Sequence, residues 1–255
     1  MRRRFDWRGA VIPVVGLIIA QIVVARGHFT SDAIAAPSAI MMAGARALLD
    51  GSILVLTGQT LAAVIVGLGI GCGLGVSIGS VLGTFPTINR SMEFTVEALR
   101  PIPSVALLPL AMLIFGFGYR MEFSLIAFSA MWPMLILTRQ AVAHIEPCLI
   151  EVSRMVGFGF LNHVVKIILP ATLPRLFVAF RLAAGFALTV AITVEIAANP
   201  LGLGYAMITA QLSLHPALML ALLIWVGIIG WLFNGGLLWA QRRLFGPSAT
   251  AGLEQ

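Results

Sequence analysis

The chain has 255 residues, of which 60% are hydrophobic and only 10% charged, and its mean hydropathy is +1.02; soluble domains carry roughly 25% charged residues, so a water-soluble globule is excluded. The formal charge of +6 invites a nucleic-acid reading, but the basic residues are scattered among connections between apolar runs, where they set membrane orientation instead. Cys72 and Cys148 stand apart from each other and from His28, His144, His163 and His215, which gives neither a disulfide framework nor metal-ligand spacing, and no cofactor is expected.

At the N-terminus, RRRFDWR (residues 2–8) precedes an apolar run from Val11 to Ala25. Arg2, Arg3 and Phe5 loosely mimic a twin-arginine export signal, but the rest of the chain is itself a string of spans, so a retained first helix is expected. Residues 26–52 mix Arg26, His28, Asp32, Arg46 and Asp50 and read as an aqueous loop, with a short helix over Ala39–Leu49. The second span lies within Ile53–Leu82, a run too long for one perpendicular crossing and therefore tilted. Within it Gly67, Gly71, Gly75, Gly79 and Gly83 recur every four residues and share one helical face, a stripe that lets a neighbouring helix approach closely. Gly69 and Gly73 add an alternation that could pass for a phosphate loop, yet no Lys-Ser/Thr follows and the setting is hydrocarbon.

Residues 84–104 form a polar connection with Asn89, Arg90, Glu93, Glu97 and Arg100; the two glutamates read as one solvated helix face, since no other polar group converges on them as a catalytic pair would need. Pro101 and Pro103 end that helix and open a third span to about Gly118, with Pro109 expected to kink it. A tight connection at Tyr119–Glu122 leads to a fourth span, about Phe123–Leu137, interrupted by Pro133. After the polar stretch Thr138–Arg181 comes a fifth span, about Leu182–Ala198, containing Glu195. Asn199–Pro216 reads as a second aqueous segment, with LGLGY and an amphipathic helix, before a sixth span over about Ala217–Ala240 that Arg242 and Arg243 stop. The fold class is thus an all-α integral membrane protein of about six transmembrane helices.

Six spans place both termini on one side. If that side is the cytoplasm, 13 of the 16 basic residues are inside and only Arg26, Arg46 and Arg120 outside, a bias that fixes the topology by the positive-inside rule. The stretch Glu151–Pro170, EVSRMVGFGFLNHVVKIILP, is then cytoplasmic. It is too polar to sit in hydrocarbon. Gly157 permits a sharp turn, Phe158 and Phe160 could fill an apolar groove, and Pro170 ends the segment before the chain re-enters the membrane. On residues alone, a docking element and an amphipathic helix lying on lipid both remain open.

Glu151, five residues, Gly157, nine residues, then Ile167-x-Leu169-Pro170 resembles the "EAA" loop of the inner-membrane permeases of bacterial ABC importers; Val152 and Ser153 stand where that loop usually has two alanines. LRPIPSVALLPLAMLIFGFG (Leu99–Gly118), LPATLPRLFVAFRLAAGFAL (Leu169–Leu188) and LGLGY are similar to the nitrate/sulfonate/taurine branch of that family. The resemblance implies a type I ABC importer permease fold: residues 1–54 as N-terminal segment, first helix and periplasmic loop, residues 55–243 as the permease domain with its coupling loop at 139–181, and residues 244–255 as a cytoplasmic tail. It implies that Glu151, Ser153, Gly157, Phe158, Ile167, Leu169 and Pro170 dock a cytoplasmic ATPase dimer. Two permease copies would form a homodimer, and an extracytoplasmic binding protein would deliver a small anion such as a sulfonate, taurine or nitrate, or alternatively a pyrimidine-type vitamin precursor. The permease itself is then no enzyme. The family also places an acidic residue near Glu195, which leaves that residue either a translocation or gate candidate or a snorkelling, structural one. A secondary transporter or channel would need paired intramembrane carboxylates or inverted repeats, and an intramembrane enzyme a nucleophile with its base; the spans offer only Glu195.

Overall fold

The computed structural model describes residues 21–22, 35–145, 155 and 169–245, and every regular element among them is helical. Helix α1 (Pro37–Leu49) is followed by α2 (Ser52–Thr84), α3 (Pro86–Leu99), a 3₁₀ turn (Ser104–Leu107), α4 (Leu108–Phe115), α5 (Tyr119–Ala143), α6 (Leu169–Ala197), α7 (Gly202–Leu212) and α8 (Pro216–Phe245). Helices α2, α5, α6 and α8 are long and apolar enough to cross a membrane. Of the expected first helix, Val11 to Ala25, only Gln21 and Ile22 are among the described residues, and they are helical.

Helix α2 has 33 residues, which at 1.5 Å per residue makes about 50 Å against a hydrocarbon core of ~30 Å, so it crosses tilted or projects beyond it. Its glycine stripe faces α5. A Cβ at Gly67 would meet Ile126, at Gly71 Ala127 and Ala130, at Gly75 Met134, at Gly79 Leu135 and Thr138, and at Gly83 Val142, all at 2.5–2.9 Å. Both sets of numbers rise together, so α2 and α5 run parallel with their backbones in near contact. Gly69 and Gly73, off this face, have nothing within 4 Å of an added Cβ. Helix α6 answers with alanines: Ala179, Ala183, Ala187 and Ala191 are all fully buried in the central cluster with Val64, Leu68, Met121 and Ile126. Small residues at four-residue spacing thus bring three helices together where lipid supplies no hydrophobic drive. Large apolar side chains turn outward instead, among them Phe94, Leu113, Trp231 and Trp239.

A second cluster joins α1, α2, α7 and α8 through Ala47, Ile53, Leu203, Leu222 and Ile229. There the Trp225 indole donates to Thr57 Oγ1 at 2.9 Å. Between α1 and α2 the chain turns at Gly51 (φ 76°), where Asp50 accepts from the Ser52 N–H at 2.9 Å. These hydrogen bonds from Ser52 hold the Asp50 carboxyl below the usual carboxylate range.

Three boundaries differ from the sequence expectations. The third span is not one kinked helix: α3 and the Ser104–Phe115 segment are bent by 83° to each other, and the eight-residue α4 is far too short to cross alone. Pro101 and Pro103 stand in the non-helical break, and Pro109 sits in the first turn of α4, where its missing N–H costs nothing. The Thr138–Arg181 connection is shorter than expected, because α5 continues to Ala143 and α6 begins at Leu169, with Pro174 inside it. Asn199–Pro216 is not an aqueous segment either: α7 tucks into the bundle with Gly202, Leu203, Gly204 and Ala210 buried.

Candidate functional site

The strongest concentration of buried polar groups lies where α5 and α7 begin, where α6 ends and near the start of α2. Glu195 is almost fully buried and Glu122 fully so. Glu195 therefore does not reach interfacial water by snorkelling, and Glu122, expected in a tight connection, is inside the first turn of α5. The two carboxyl groups face each other closely enough to interact directly, and no lysine, arginine or histidine of the described residues acts on either.

Donors from the backbone and from neutral side chains stand in for the missing cation. Glu195 Oε2 accepts from the Gly204 N–H at 2.8 Å, and the Thr60 hydroxyl also reaches this carboxylate. Glu122 Oε2 accepts from Asn199 Nδ2 at 2.6 Å. Apart from the facing Glu195 carboxyl, no group among the described residues partners Glu122 Oε1, and none partners Asn199 Oδ1. The first turn of α7 closes the arrangement: Gly202 N–H donates to Gln59 Oε1 at 2.9 Å and Leu203 N–H to Thr60 Oγ1 at 3.0 Å. A helix begins with N–H groups that have no partner within the helix. Here Gln59, Thr60 and Glu195 take three in succession, and a carboxylate at a helix N-terminus is the favourable sign for the helix dipole.

Glycine makes this docking possible. Gly202 has φ 86°, a left-handed conformation that glycine adopts without steric cost. A Cβ there would overlap the Glu195 carboxylate, and at Gly204 it would lie 2.5 Å from the Ile192 carbonyl and 2.7 Å from Glu195 Cβ. The Gly-Leu-Gly of LGLGY is therefore the floor on which Glu195 rests.

Of the expected coupling residues, Glu151, Ser153, Gly157, Phe158 and Ile167 lie outside the described residues, while Leu169 and Pro170 form the first turn of α6. That turn and the last turn of α5 are at the end of the bundle opposite the carboxyl pair. Glu93 and Glu97 are exposed on α3. The structure thus brings Glu195 together with Glu122, Asn199, Thr60 and Gln59, none of which the sequence had singled out. The available signal was a carboxylate, Glu122, directly abutting the apolar run FSLIAF.

A parallel, glycine-packed helix pair, a broken span and a buried polar clasp at one end define a multi-pass helical-bundle membrane protein. The chain belongs to the family described as binding-protein-dependent transport system inner membrane component, whose model matches residues 67–245. It is 27% identical to a Bacillus subtilis permease, SsuC, named for aliphatic sulfonate transport, over 95% of this chain and 88% of that one. The bicarbonate transport system permease protein CmpB of Synechococcus elongatus is 27% identical over 73% of this chain and 67% of its own, and the nitrate import permease protein NrtB of Leptolyngbya laminosa 26% over 69% and 63%. In fold the chain is similar to an inward-facing structure of the MetNI methionine ABC transporter, with TM-score 0.63 and 22% identity, covering 73% of this chain and 91% of that one. It therefore has the type I ABC importer permease fold and is a transport component, not an enzyme, working with a separate ATPase and a substrate-binding protein.

Proposed function

We propose that this permease carries a small oxyanion into the cell, as one of two identical copies lining a common path. The observation that carries this reading is the agreement of three relatives, named for sulfonates, bicarbonate and nitrate, on one ligand chemistry. ATP-driven closure of the ATPase pair moves the docked segments of Glu151, Ser153, Gly157, Phe158, Ile167, Leu169 and Pro170, and the bundle swings between inward-open and outward-open states. The excess of arginine and lysine in the segments on one side supports cytoplasmic termini and a cytoplasmic coupling loop. In that orientation the Glu122–Glu195 clasp lies at the outer end, where the binding protein hands over its ligand, and Glu195 serves there as a gate residue by fixing α7.

The test has two arms. Calorimetry on the partner binding protein with taurine, alkanesulfonates, nitrate, bicarbonate and a pyrimidine is expected to show binding of an oxyanion; a preference for the pyrimidine would replace the cargo. Gly157→Asp is expected to abolish co-purification of the ATPase while membrane insertion persists. Retention of the ATPase by that variant would remove the docking role.

A further inference from the structure

Beside the break between α3 and α4 is a cleft of about 370 Å³. Its walls are the broken segment Arg100–Val105, the middle of α5 at Phe128, Ser129 and Trp132, and Phe186 and Val190 of α6. Both main walls are interrupted here, one by the 83° bend and the other by Pro133 inside α5. Irregular backbone at membrane depth is stable only where it is buried in protein or lines a polar or water-filled cavity. Residues 128–136 straddle the midpoint of α5, so the cleft lies in the middle of the bundle's height.

Its polar content has one sign. Arg100, which the charge count placed in a cytoplasmic connection, instead caps α3 within the broken span, where it is exposed and lines the cleft; no carboxylate lines it. The Ser104 and Ser129 hydroxyls also line it, and neither has a hydrogen-bond partner among the described residues, although Ser77, Thr84, Thr189 and Thr193 bond back to the carbonyl four residues earlier. The rest of the wall is aromatic and aliphatic. An arginine within the membrane zone is costly and marks an ion or substrate route by default, and a guanidinium fork matches planar or tetrahedral oxyanions.

We propose that this cleft is a transit subsite for the transported oxyanion, with the Arg100 guanidinium as its counter-charge and the Ser104 and Ser129 hydroxyls as neutral donors. The proposal rests on the anion reading above and deepens it. One cation, two hydroxyls and apolar walls make a weak site, as a passage requires: the anion is attracted into the bundle and released again. Selectivity among oxyanions then rests with the binding protein, and the cleft discriminates by sign of charge.

The experiment uses the complete importer in proteoliposomes, with Cys72→Ala and Cys148→Ala as background and a single cysteine at Ser129→Cys or, independently, Phe186→Cys. Each is treated with an anionic sulfonatoethyl and a cationic trimethylammonioethyl methanethiosulfonate reagent. With Arg100 present the anionic reagent is expected to react faster relative to the cationic one by about tenfold than with Arg100→Gln, while Arg100→Lys retains the preference, because a local charge in a low-dielectric cleft raises counter-ion concentration by that order. Added nitrate or taurine at millimolar concentration is expected to slow the anionic reaction. An equal rate ratio with and without Arg100, or no labelling at either position, would overturn the subsite. A charge-selective cleft in an importer that takes up no sulfonate, nitrate or bicarbonate would support the subsite and sink the cargo assignment. Anion uptake with no charge selectivity would do the reverse.

Discussion

Asn199, just past the end of α6, donates to Glu122 in the first turn of α5 at 2.6 Å, a buried bond between residues 77 apart. It ties the two helices at the end of the bundle where α7 is seated. Among the described residues Asn199 is the one side chain other than Glu195 that bonds to the Glu122 carboxyl.

Asn199→Ala is expected to destabilise the permease by about 1–3 kcal/mol, the cost of leaving a buried polar group unsatisfied. Glu122→Gln should restore part of this loss in the double variant, since a neutral amide is cheaper to bury. Thermal unfolding of the detergent-solubilised protein measures both. Strict additivity of the two changes would show that the residues are not coupled.

Two glycines of α2 separate packing from helix propensity. Gly75→Ala places a Cβ 2.5 Å from that of Met134, whereas at Gly73 it meets nothing within 4 Å. Overpacking costs about 1–3 kcal/mol, while alanine gains up to about 1 kcal/mol over glycine in a helix. Gly73→Ala should therefore be neutral or stabilising and Gly75→Ala destabilising. Equal melting temperatures for the two variants would contradict the close approach of α2 and α5.

Gly202→Ala combines a left-handed backbone with overlap on the Glu195 carboxylate. It is expected to loosen α7, read as faster hydrogen exchange over Gly202–Leu212, with transport impaired more than membrane insertion. Gly185→Ala, which meets nothing within 4 Å, is the matched control. Pairing Gly202→Ala with Glu195→Ala should remove the overlap but not the backbone strain, so only partial recovery is expected.

The turn between α1 and α2 has a simple pH signature. Asp50 is fully exposed and accepts from Ser52, and the bond lowers its carboxyl pKa. A depressed carboxylate contributes stability that is present above its unfolded-state value and is lost as pH falls through the folded one. Protection of the Ser52 amide from exchange should thus persist through neutral and mildly acidic pH and fade only below the ordinary carboxylate range. Asp50→Asn should remove that dependence.

Local periodicity made much of this bundle legible. The glycine stripe needed only a count of four, because one helix carries the whole pattern, and the alanine stripe of α6 was readable by the same count. Glu122 and Asn199 were illegible for the opposite reason: each looks like an ordinary residue of a connection, and only packing of α5 against α6 brings them together. The α3–α4 break had its signal in Pro101, Pro103 and Pro109, but the same prolines suit a kinked helix, and sequence does not say how far a kink opens. Family resemblance pointed to a docking role for Glu151–Pro170, which lies largely outside the described residues, and did not reveal the clasp at the far end.

The near-contact of α2 and α5 has a mechanical consequence. Five glycines leave only the α5 side chains between the two backbones, with none from α2 to shear against them, so the pair is expected to behave as a stiff rod. Helix α5, 25 residues long, spans about 37 Å from the turn that leads toward the proposed coupling segment to the turn that carries Glu122. A push at the Ala143 end is then expected to arrive at the opposite end as a tilt instead of being absorbed along the way. Compliance would then fall to the broken α3–α4 span, bent by 83°, with the rod as lever and the break as hinge.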